Sequence, residues 1–412
     1  MESSHRIAQS SAQALPHLLP ESLRAQLALP VLVLSQFLAL TLWFSGSAVL
    51  PALTRDWGLT QSDGGLLLSA VNAGFILGTL VLSLFNLADK FSPSRVFLIS
   101  ALIGAGANWL FAEAATGLAD GLAYRFVTGA ALAGLYPVGM KLVVTWFPHR
   151  AGSALGWLVG ALTLGSASPY LFRSLGAELP WHVVMAATSS LAAIAGLLVV
   201  ALGDGPHSIP ARKVDLRMIF RIFTIPGYRG AALGYFGHMW ELYALWALSP
   251  LLVQAALTPL GLASPQWIAL GAFAVIGLGA LGCIGGGIVS RRAGSLKVAA
   301  VSLGISGALC IVSPLLLGFS PWLYLGALAV WGIFVVADSP QFSALSARTA
   351  PPEYVATALT VQNGIGFALT IASIELTTRA FTWLGPEVSW LLAPGPVLGL
   401  WLLLHRKNRG PA

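Results

Sequence analysis

The chain alternates between long apolar runs and short polar connections. Twelve apolar segments can be counted, most of them near the ~20 residues that an α-helix needs to cross the hydrocarbon core of a bilayer. The pattern therefore predicts an all-α integral membrane protein with twelve transmembrane helices. The predicted spans are Pro30–Leu50, Gly65–Leu87, Val96–Ala112, Leu122–Trp146, Ser153–Phe172, Val183–Leu202, Ala231–Val253, Ile268–Val289, Val298–Leu317, Leu323–Ser343, Thr357–Thr377 and Glu387–Leu404.

The longest polar interval divides the spans into two sets of six. We expect an N-terminal bundle over 29–202, a central cytoplasmic loop over 203–228 and a C-terminal bundle over 229–404. The central loop carries a basic stretch, Arg212–Arg221. This stretch suits either an interfacial helix on anionic headgroups or a solvated linker.

Lysine and arginine residues are distributed unevenly between the two predicted faces of the membrane. If the amino terminus is inside, 17 of the 22 lie on the cytoplasmic side, three on the other side and two within a span. An excess of Lys and Arg in cytoplasmic loops sets the orientation of membrane proteins. The tails 1–28 and 405–412 are therefore predicted to be cytoplasmic, in a multi-pass protein of the inner or plasma membrane. Residues 1–28 also lack the apolar core of a cleaved signal peptide.

An internal repeat supports the division into halves. Asp89–Ser92 follows the second span and Arg291–Gly294 follows the eighth, at an offset of 202 residues (291 − 89). Pro137 in the fourth span and Pro340 in the tenth repeat nearly the same offset. Two related halves of this kind are typical of secondary carriers.

Composition narrows the class of protein. With 57% hydrophobic and 9% charged residues and a mean hydropathy of +0.81, the chain is too apolar for a water-soluble enzyme. The net charge of +7 is scattered among short loops, without the basic face of a nucleic-acid-binding protein. Cys283 and Cys310 are too few for a metal cluster. The sequence has no phosphate-binding loop. We therefore expect no enzymatic activity, no cofactor and no bound metal, and a protein that functions as a monomer.

The loop after the second span is Phe85-Asn86-Leu87-Ala88-Asp89-Lys90-Phe91-Ser92-Pro93-Ser94-Arg95. It resembles the Gly-x-x-x-Asp-Arg-x-Gly-x-Arg/Lys-Arg/Lys signature of the major facilitator superfamily. Asp89, Lys90 and Arg95 match in kind, and both glycines are replaced. The fourth span has Arg125 followed by Gly129, similar to the family's pattern in that helix. The resemblance implies two six-helix halves and a transport cycle, but no particular substrate.

Within this resemblance, Asp89, Lys90 and Arg95 are candidates for gating. An acid at the inner end of one helix can hold the neighbouring bundle and keep the inner face closed until substrate binding shifts the balance. A solvated loop acid is the alternative. In the fifth span, Gly165 is followed by Ser166, not by the proline of efflux members, so efflux is not indicated.

Three ionisable residues in the second half are candidates for proton coupling: Glu241, His238 and Asp338. Glu241 lies in the middle of the seventh span, and His238 lies on the same helical face three residues earlier. Desolvation favours the protonated carboxyl, so Glu241 could load and release protons, and the two side chains could share one. Asp338 lies beside Pro340 toward the cytoplasmic end of its span, where a gate contact competes with proton or substrate binding. For each residue the alternative is a structural role in joining helices.

Further side chains are candidates for the wall of a substrate cavity. A guanidinium could bind an anionic group, although Arg125 could instead meet Asp120 or headgroups. Rings could stack on a planar ligand or fill space, and amides could bind a ligand or join helices. Glu375 and Arg379 are expected to pair with each other, without a role in transport. The cavity candidates are Arg125, Trp43, Tyr136, Trp240, Tyr243, Trp246, Gln341, Gln362 and Asn363.

These features predict a secondary active transporter that moves a small organic solute by alternating access, coupled to protons by symport or antiport. Basic residues and mid-span carboxyls fit a small organic anion, and the aromatic residues fit a flat solute. The alternatives are an efflux carrier of the same fold, or a membrane sensor or channel that does not perform coupled transport. The expected partners are a small-molecule substrate, protons and the lipid bilayer.

Overall fold

The first half of the chain is helical, and several of its helices join end to end within one span. A computed structural model describes residues 20–85, 87–148, 151–175, 180–207, 219–351 and 354–405. The described helices of this half are α1 (Glu21–Leu40), α2 (Ser45–Ala48), α3 (Leu50–Trp57), α4 (Gln61–Leu84), α5 (Leu87–Lys90), α6 (Pro93–Ala114), α7 (Leu118–Leu132), α8 (Tyr136–Trp146), α9 (Ala151–Leu175) and α10 (Trp181–Leu202).

The second half repeats this architecture, and the described residues contain no β-strand in either half. Its helices are α11 (Ile219–Ile222), α12 (Pro226–Leu257), α13 (Pro265–Gly277), α14 (Gly279–Ala293), α15 (Ser295–Phe319), α16 (Pro321–Ala337), α17 (Ser339–Thr349), α18 (Val355–Leu384) and α19 (Pro394–His405), with 3-10 helices at Thr258–Leu260 and Gly385–Leu391. Positions 1–19 and 406–412 of the predicted tails, and positions 208–218 with most of the basic stretch, lie outside the described residues.

Eleven helical stretches of the described chain are long and apolar enough to cross a membrane. The last of them, Thr357–His405, contains both the eleventh and the twelfth predicted spans. Within it, the 3-10 helix Gly385–Leu391 separates α18 from α19. The prediction of an all-α membrane fold is therefore confirmed.

The first span differs from its predicted limits because of Arg24. The helix begins at Glu21 and not at Pro30, and the Arg24 side chain is buried. Its Nε donates to the carbonyl oxygen of Leu202 at 2.6 Å, and its guanidinium lies 5.3 Å above the Trp146 ring. A cation that satisfies the C-terminal carbonyls of α10 lies inside the bundle, so its charge does not mark the end of the span.

The fourth and tenth spans break at equivalent positions. The fourth span breaks between α7 and α8, and the tenth breaks at Asp338 between α16 and α17. Pro137 lies at the start of α8, and Pro340 lies at the start of α17. Because proline has no N–H and fixes its φ angle, it favours a new helix start over a continuous helix.

Glycines bring paired helices into backbone contact within each half. A Cβ at Gly129 of α7 would collide with the carbonyl of Val71 in α4, and a Cβ at Gly332 of α16 would collide with that of Val275 in α13. The two glycines are 203 residues apart (332 − 129), so these equivalent contacts support the internal repeat. We call these two contacts the glycine seams.

The halves meet along two sets of helices. Helix α4 packs along α18, and α9 packs along α13 and α14. Along the first pair, the hydroxyl of Thr360 donates to that of Ser83 at 3.4 Å, and Gly65 lies against Thr378. One continuous hydrophobic core extends through both halves at this interface.

Candidate functional site

Aromatic rings from both halves pack together where the first span breaks. Trp43 stacks on Tyr243 with ring centroids 5.4 Å apart, and Phe44 meets Trp246 edge to face at 5.7 Å. All the rings of this group are buried. We define the aromatic cluster as Trp43, Phe44 and Phe75 of the first half with Tyr243, Trp246 and Phe367 of the second.

Two other predicted rings lie differently. Tyr136 is half-buried, and its hydroxyl lies near enough to those of Tyr235 and Tyr243 for electrostatic interaction. Trp240 was predicted to line the same cavity as Trp246, but its Nε1 donates to the carbonyl of Leu391 at 3.0 Å, next to α19. Trp240 and Trp246 are six positions apart, which corresponds to about 240° around the helix axis. The two indoles therefore point in different directions and cannot line one wall of a cavity.

The predicted amides lie on α17 and α18. Gln362 is fully buried, and its Oε1 accepts a hydrogen bond from the hydroxyl of Ser346 at 2.5 Å. Gln341 is buried on α17, whereas Asn363 is half-buried on α18. The contact of Gln362 joins two helices, as the alternative interpretation of these amides expected.

His238 and Asp338 form a buried acid–base pair. The imidazole Nδ1 lies 2.9 Å from the Oδ1 of Asp338, and both side chains are fully buried. The separation is that of an ion pair, and no other side chain of the described residues hydrogen-bonds the imidazole or this carboxyl group. The rings of Tyr235 and Phe342 lie about the imidazole, with centroids 5.9 and 6.0 Å away.

Glu241 lies on the same helix as His238 but has different partners. Its carboxylate accepts hydrogen bonds from the Ser306 hydroxyl at 2.9 Å, from the Cys310 thiol at 3.4 Å and from the indole Nε1 of Trp331. These donors come from α15 and α16, so the fully buried acid links three helices of its own half. His238 is therefore paired with Asp338 and not with Glu241.

Arg125 is buried inside the first half, and of the alternatives for it, contact with Asp120 or headgroups is wrong. Its guanidinium donates to the carbonyls of Leu42 and Trp43 at 3.0 and 2.5 Å. It also donates to the Ser45 hydroxyl at 3.0 Å and to Asn108 Oδ1 at 3.1 Å. The break after α1 frees backbone carbonyls, and the planar guanidinium satisfies them. Asp120 instead accepts from Thr116.

The gating candidates lie at the start of the second loop. Asp89 belongs to the short helix α5, and its side chain is outside the described part of the structure. Lys90 and Arg95 are exposed. Gating by these three residues remains a prediction.

One end of α18 is predicted from the sequence to face outward. This end carries a contact that the sequence does not indicate. Arg379 lies 3.3 Å from Glu375, as expected for residues four apart. The carboxylate of Glu375 also accepts a hydrogen bond at 2.8 Å from the hydroxyl of Ser69 in the other half. A short polar side chain in an apolar run has no sequence signal that would identify this partner.

The buried polar groups of the two halves differ in kind. The described residues contain no group of three or more His, Cys, Asp or Glu side chains that could hold a metal ion. What they offer is an acid–base pair in one half and an uncompensated guanidinium in the other, with aromatic rings between the halves. This arrangement suits a solute-binding membrane protein.

Comparison with known proteins gives relatives that are named as transporters. The niacin transporter NiaP of Acinetobacter baylyi is 33% identical over 174 residues, which is 39% of this chain and 36% of NiaP. The 4-hydroxybenzoate transporter PcaK of the same species is 31% identical over 140 residues, which is 32% of this chain and 29% of PcaK. The chain is therefore matched over only a minor part of each of these relatives.

Solved structures share the fold over nearly the whole chain. The transporter FucP in its outward conformation has a TM-score of 0.66 at 17% identity, with 93% of this chain and 99% of FucP covered. The human organic anion transporter MFSD10 has a TM-score of 0.71 at 16% identity, with 93% and 100% covered. The Major Facilitator Superfamily model matches residues 32–374. The chain belongs to the Major Facilitator Superfamily.

Proposed function

We propose that the protein is a secondary active transporter that carries a small aromatic carboxylate together with a proton across the cell membrane. The observation that carries the proposal is the His238–Asp338 pair, which is buried at the helix break between α16 and α17. The relatives NiaP and PcaK are named for niacin and 4-hydroxybenzoate, and each of these compounds is an aromatic ring with a carboxylate. The aromatic cluster supplies surfaces on which such a ring can stack.

The buried pair offers a direct way to couple an anion to a proton. In its charged form, the imidazolium is balanced by the Asp338 carboxylate. A proton that binds this carboxylate leaves the imidazolium without a counter-ion, and the carboxylate of the solute can take that place. One proton and one anion enter together, so the net charge of the site does not change. Their release on the other side restores the original pair.

Arg125 supports an anionic solute from the other half. Its guanidinium donates to the Trp43 carbonyl, and none of its hydrogen-bond partners in the described chain is an acid. The positive charge is therefore not neutralised locally. In surroundings of low dielectric constant, such a charge favours an anion at the aromatic cluster.

Glu241 is the leading candidate for proton coupling in the sequence, but from its contacts we propose a structural role for it. Three donors from α15 and α16 point at its carboxylate. These donors hold the carboxyl group between three helices of one half, which is the geometry expected of an acid that joins helices. Other ionisable groups of this region are Tyr235 on α12, Cys283 on α14 and Cys310 on α15, all buried.

Transport assays in proteoliposomes test the proposal. We expect the purified protein to exchange labelled nicotinate or 4-hydroxybenzoate by counterflow, and to accumulate it when the outside is acidic. Asp338→Asn should keep counterflow and lose accumulation, because the amide retains the shape of the acid but cannot take the proton. Glu387→Gln removes a carboxyl from an exposed position and is the control.

Three outcomes would contradict the proposal. If neither compound shows counterflow with the unaltered protein, the substrate class is wrong. If Asp338→Asn still accumulates solute against a gradient, the pair does not couple transport to protons. Accumulation with an acidic inside would mean that solute is exchanged for protons, which is the antiport of an efflux carrier and not the proposed symport.

A further inference from the structure

Asn72 joins the two halves next to the aromatic cluster. Its side-chain oxygen accepts a hydrogen bond from Trp43 Nε1 at 3.3 Å, and its amide nitrogen donates to Thr370 Oγ1 at 2.9 Å. The Thr370 hydroxyl in turn donates to the carbonyl of Phe367 at 2.7 Å. Asn72, Trp43 and Thr370 are all fully buried. The chain of bonds thus begins and ends at residues that carry rings of the cluster.

Asn72 belongs to a polar stripe along α4 that faces α18. Gly65, Ser69 and Asn72 are spaced four and three residues apart, so they lie on one helical face. Opposite them on α18 lie Thr378, Glu375 and Thr370, respectively. We call this contact the α4–α18 seam, and Asn72 is its member closest to the aromatic cluster.

We infer that Asn72 is a positioning residue that couples the orientation of the Trp43 ring to closure of the α4–α18 seam. The inference rests on the proposed function, which places the solute ring at the aromatic cluster. A flat solute that stacks on the face of Tyr243 that Trp43 now covers must displace the Trp43 indole. The displacement moves Nε1 away from Asn72 and leaves the amide oxygen buried without a donor.

An unsatisfied buried amide weakens the contact between the halves. In surroundings of low dielectric constant, hydrogen bonds in a chain strengthen one another, and the loss of one is felt by the next. Asn72 is then free to turn, and its bond to Thr370 is lost with the bond to Trp43. Binding of a solute ring therefore loosens the α4–α18 seam, and opening of the halves depends on this seam.

Alkylation of a single cysteine in the seam measures how often it opens. Thr378 is 3% exposed and lies against Gly65 of α4, so Thr378→Cys reacts with N-ethylmaleimide only when the seam opens. The native Cys283 and Cys310 are fully buried, and labelling of the unaltered protein gives their background. We expect Asn72→Leu to raise the rate about fivefold, which corresponds to the loss of one net hydrogen bond of about 1 kcal/mol.

Four further variants, one of them double, test the route of the coupling. Thr370→Val should raise the rate by a similar factor, and the double variant with Asn72→Leu should add nothing, because both changes break the same bond. Thr128→Val is the matched control, since its hydroxyl bonds a carbonyl of its own helix α7. Trp43→Phe keeps a ring but removes the indole donor, and it should also raise the labelling rate.

The Trp43→Phe result separates the inference from a simpler role. If Asn72 only joins helices, Asn72→Leu raises the rate and Trp43→Phe leaves it unchanged, which would overturn the coupling to the ring. Unchanged labelling in Asn72→Leu would overturn the inference entirely. If Asn72→Leu does not fold, Thr370→Val and Trp43→Phe still decide it. These readouts need no solute, so failure of nicotinate and 4-hydroxybenzoate to bind would count against the proposed substrate and not against the Asn72 coupling.

Discussion

Arg125 and Glu241 are buried ionisable residues in different halves. Arg125 holds backbone carbonyls at the break after α1, whereas Glu241 holds side-chain donors on α15 and α16. The sequence indicates Glu241 by its depth in an apolar run and Arg125 by the pattern of the fourth span. It could not distinguish a group that binds solute from one that joins helices, because the partners lie far away in the chain.

At Arg125, substitution by lysine should lower the free energy of unfolding by about 2–3 kcal/mol, because one ammonium cannot replace a planar fork with four hydrogen bonds. Denaturant titration in mild detergent measures this. Arg379→Lys is the control, since its side chain is 60% exposed and pairs only with an acid of its own helix. Equal stability of both variants would show that the buried contacts of Arg125 contribute little.

At Glu241, substitution by glutamine should cost about 1–3 kcal/mol of stability, because the amide places its own N–H groups against three donors. Proton-driven accumulation should survive in the protein that folds. Gradient-driven uptake and unfolding, measured on the same preparation, test both expectations. Full stability together with lost accumulation would make Glu241 the coupling group and contradict our assignment to His238 and Asp338.

Part of the candidate site could be predicted from the sequence because its residues are ionisable. Glu241, His238 and Asp338 were identified because ionisable groups are rare in membrane spans. The pairing of His238 with Asp338 was not, since spacing along a helix indicates neighbours on that helix alone and suggested Glu241. Asn72 gave no signal, because a single neutral amide in an apolar span resembles many residues that join helices.

Among the elements, long apolar runs were predicted well and their interruptions poorly. The spans follow from hydropathy, and Pro340 indicated freed backbone groups at the break beside Asp338. No proline or glycine lies between Leu40, where α1 ends, and Gly46. The break therefore depends on a tertiary partner, Arg125. The true start of α1 was missed for a similar reason, since the partners of Arg24 come from the end of α10.

The glycine seams should tolerate no side chain. Gly129→Ala and Gly332→Ala each introduce a methyl group against a carbonyl of the facing helix, and overpacking of this kind costs about 1–3 kcal/mol. Thermal unfolding in detergent measures the loss.

A control for the glycine seams lies on the same helix. Gly326 of α16 has open space where a Cβ would be. Gly326→Ala should therefore be neutral, or stabilising by about 0.5–1 kcal/mol, because alanine favours a helix interior over glycine. If Gly332→Ala is as stable as Gly326→Ala, the close approach of α13 and α16 is wrong.

For the whole molecule, the distribution of basic residues predicts that both termini face the cytoplasm. A protease-cleavable tag after Ala412 should be resistant in right-side-out vesicles and sensitive after they are broken. A matched tag between α3 and α4, at Gly58, should be cleaved in the intact vesicles. The reverse pattern would invert the topology and exchange the inner and outer ends of every helix.

The gate proposed at Asp89 also acts on the whole molecule. Asp89→Asn should slow transport and leave the equilibrium affinity for solute unchanged, because the acid is expected to close the inner face without touching the solute. Solute binding and counterflow rates, compared in the same variant, test this. A loss of affinity as large as the loss of rate would refute the gate, and an unchanged rate would favour a solvated loop acid.

The glycine seams have a mechanical consequence. Where two helices meet through backbone atoms, as at Gly129 and Gly332, no side chain can change its rotamer to accommodate a movement. These contacts between helices are therefore stiff. Between the halves, side chains make the contacts, among them the rings of the aromatic cluster and the polar groups of α4 and α18. Side chains can rotate and re-form contacts, so compliance is concentrated there. We expect α4 with α7, and α13 with α16, to move as undeformed units, with nearly all of the displacement during a cycle taken up between the halves.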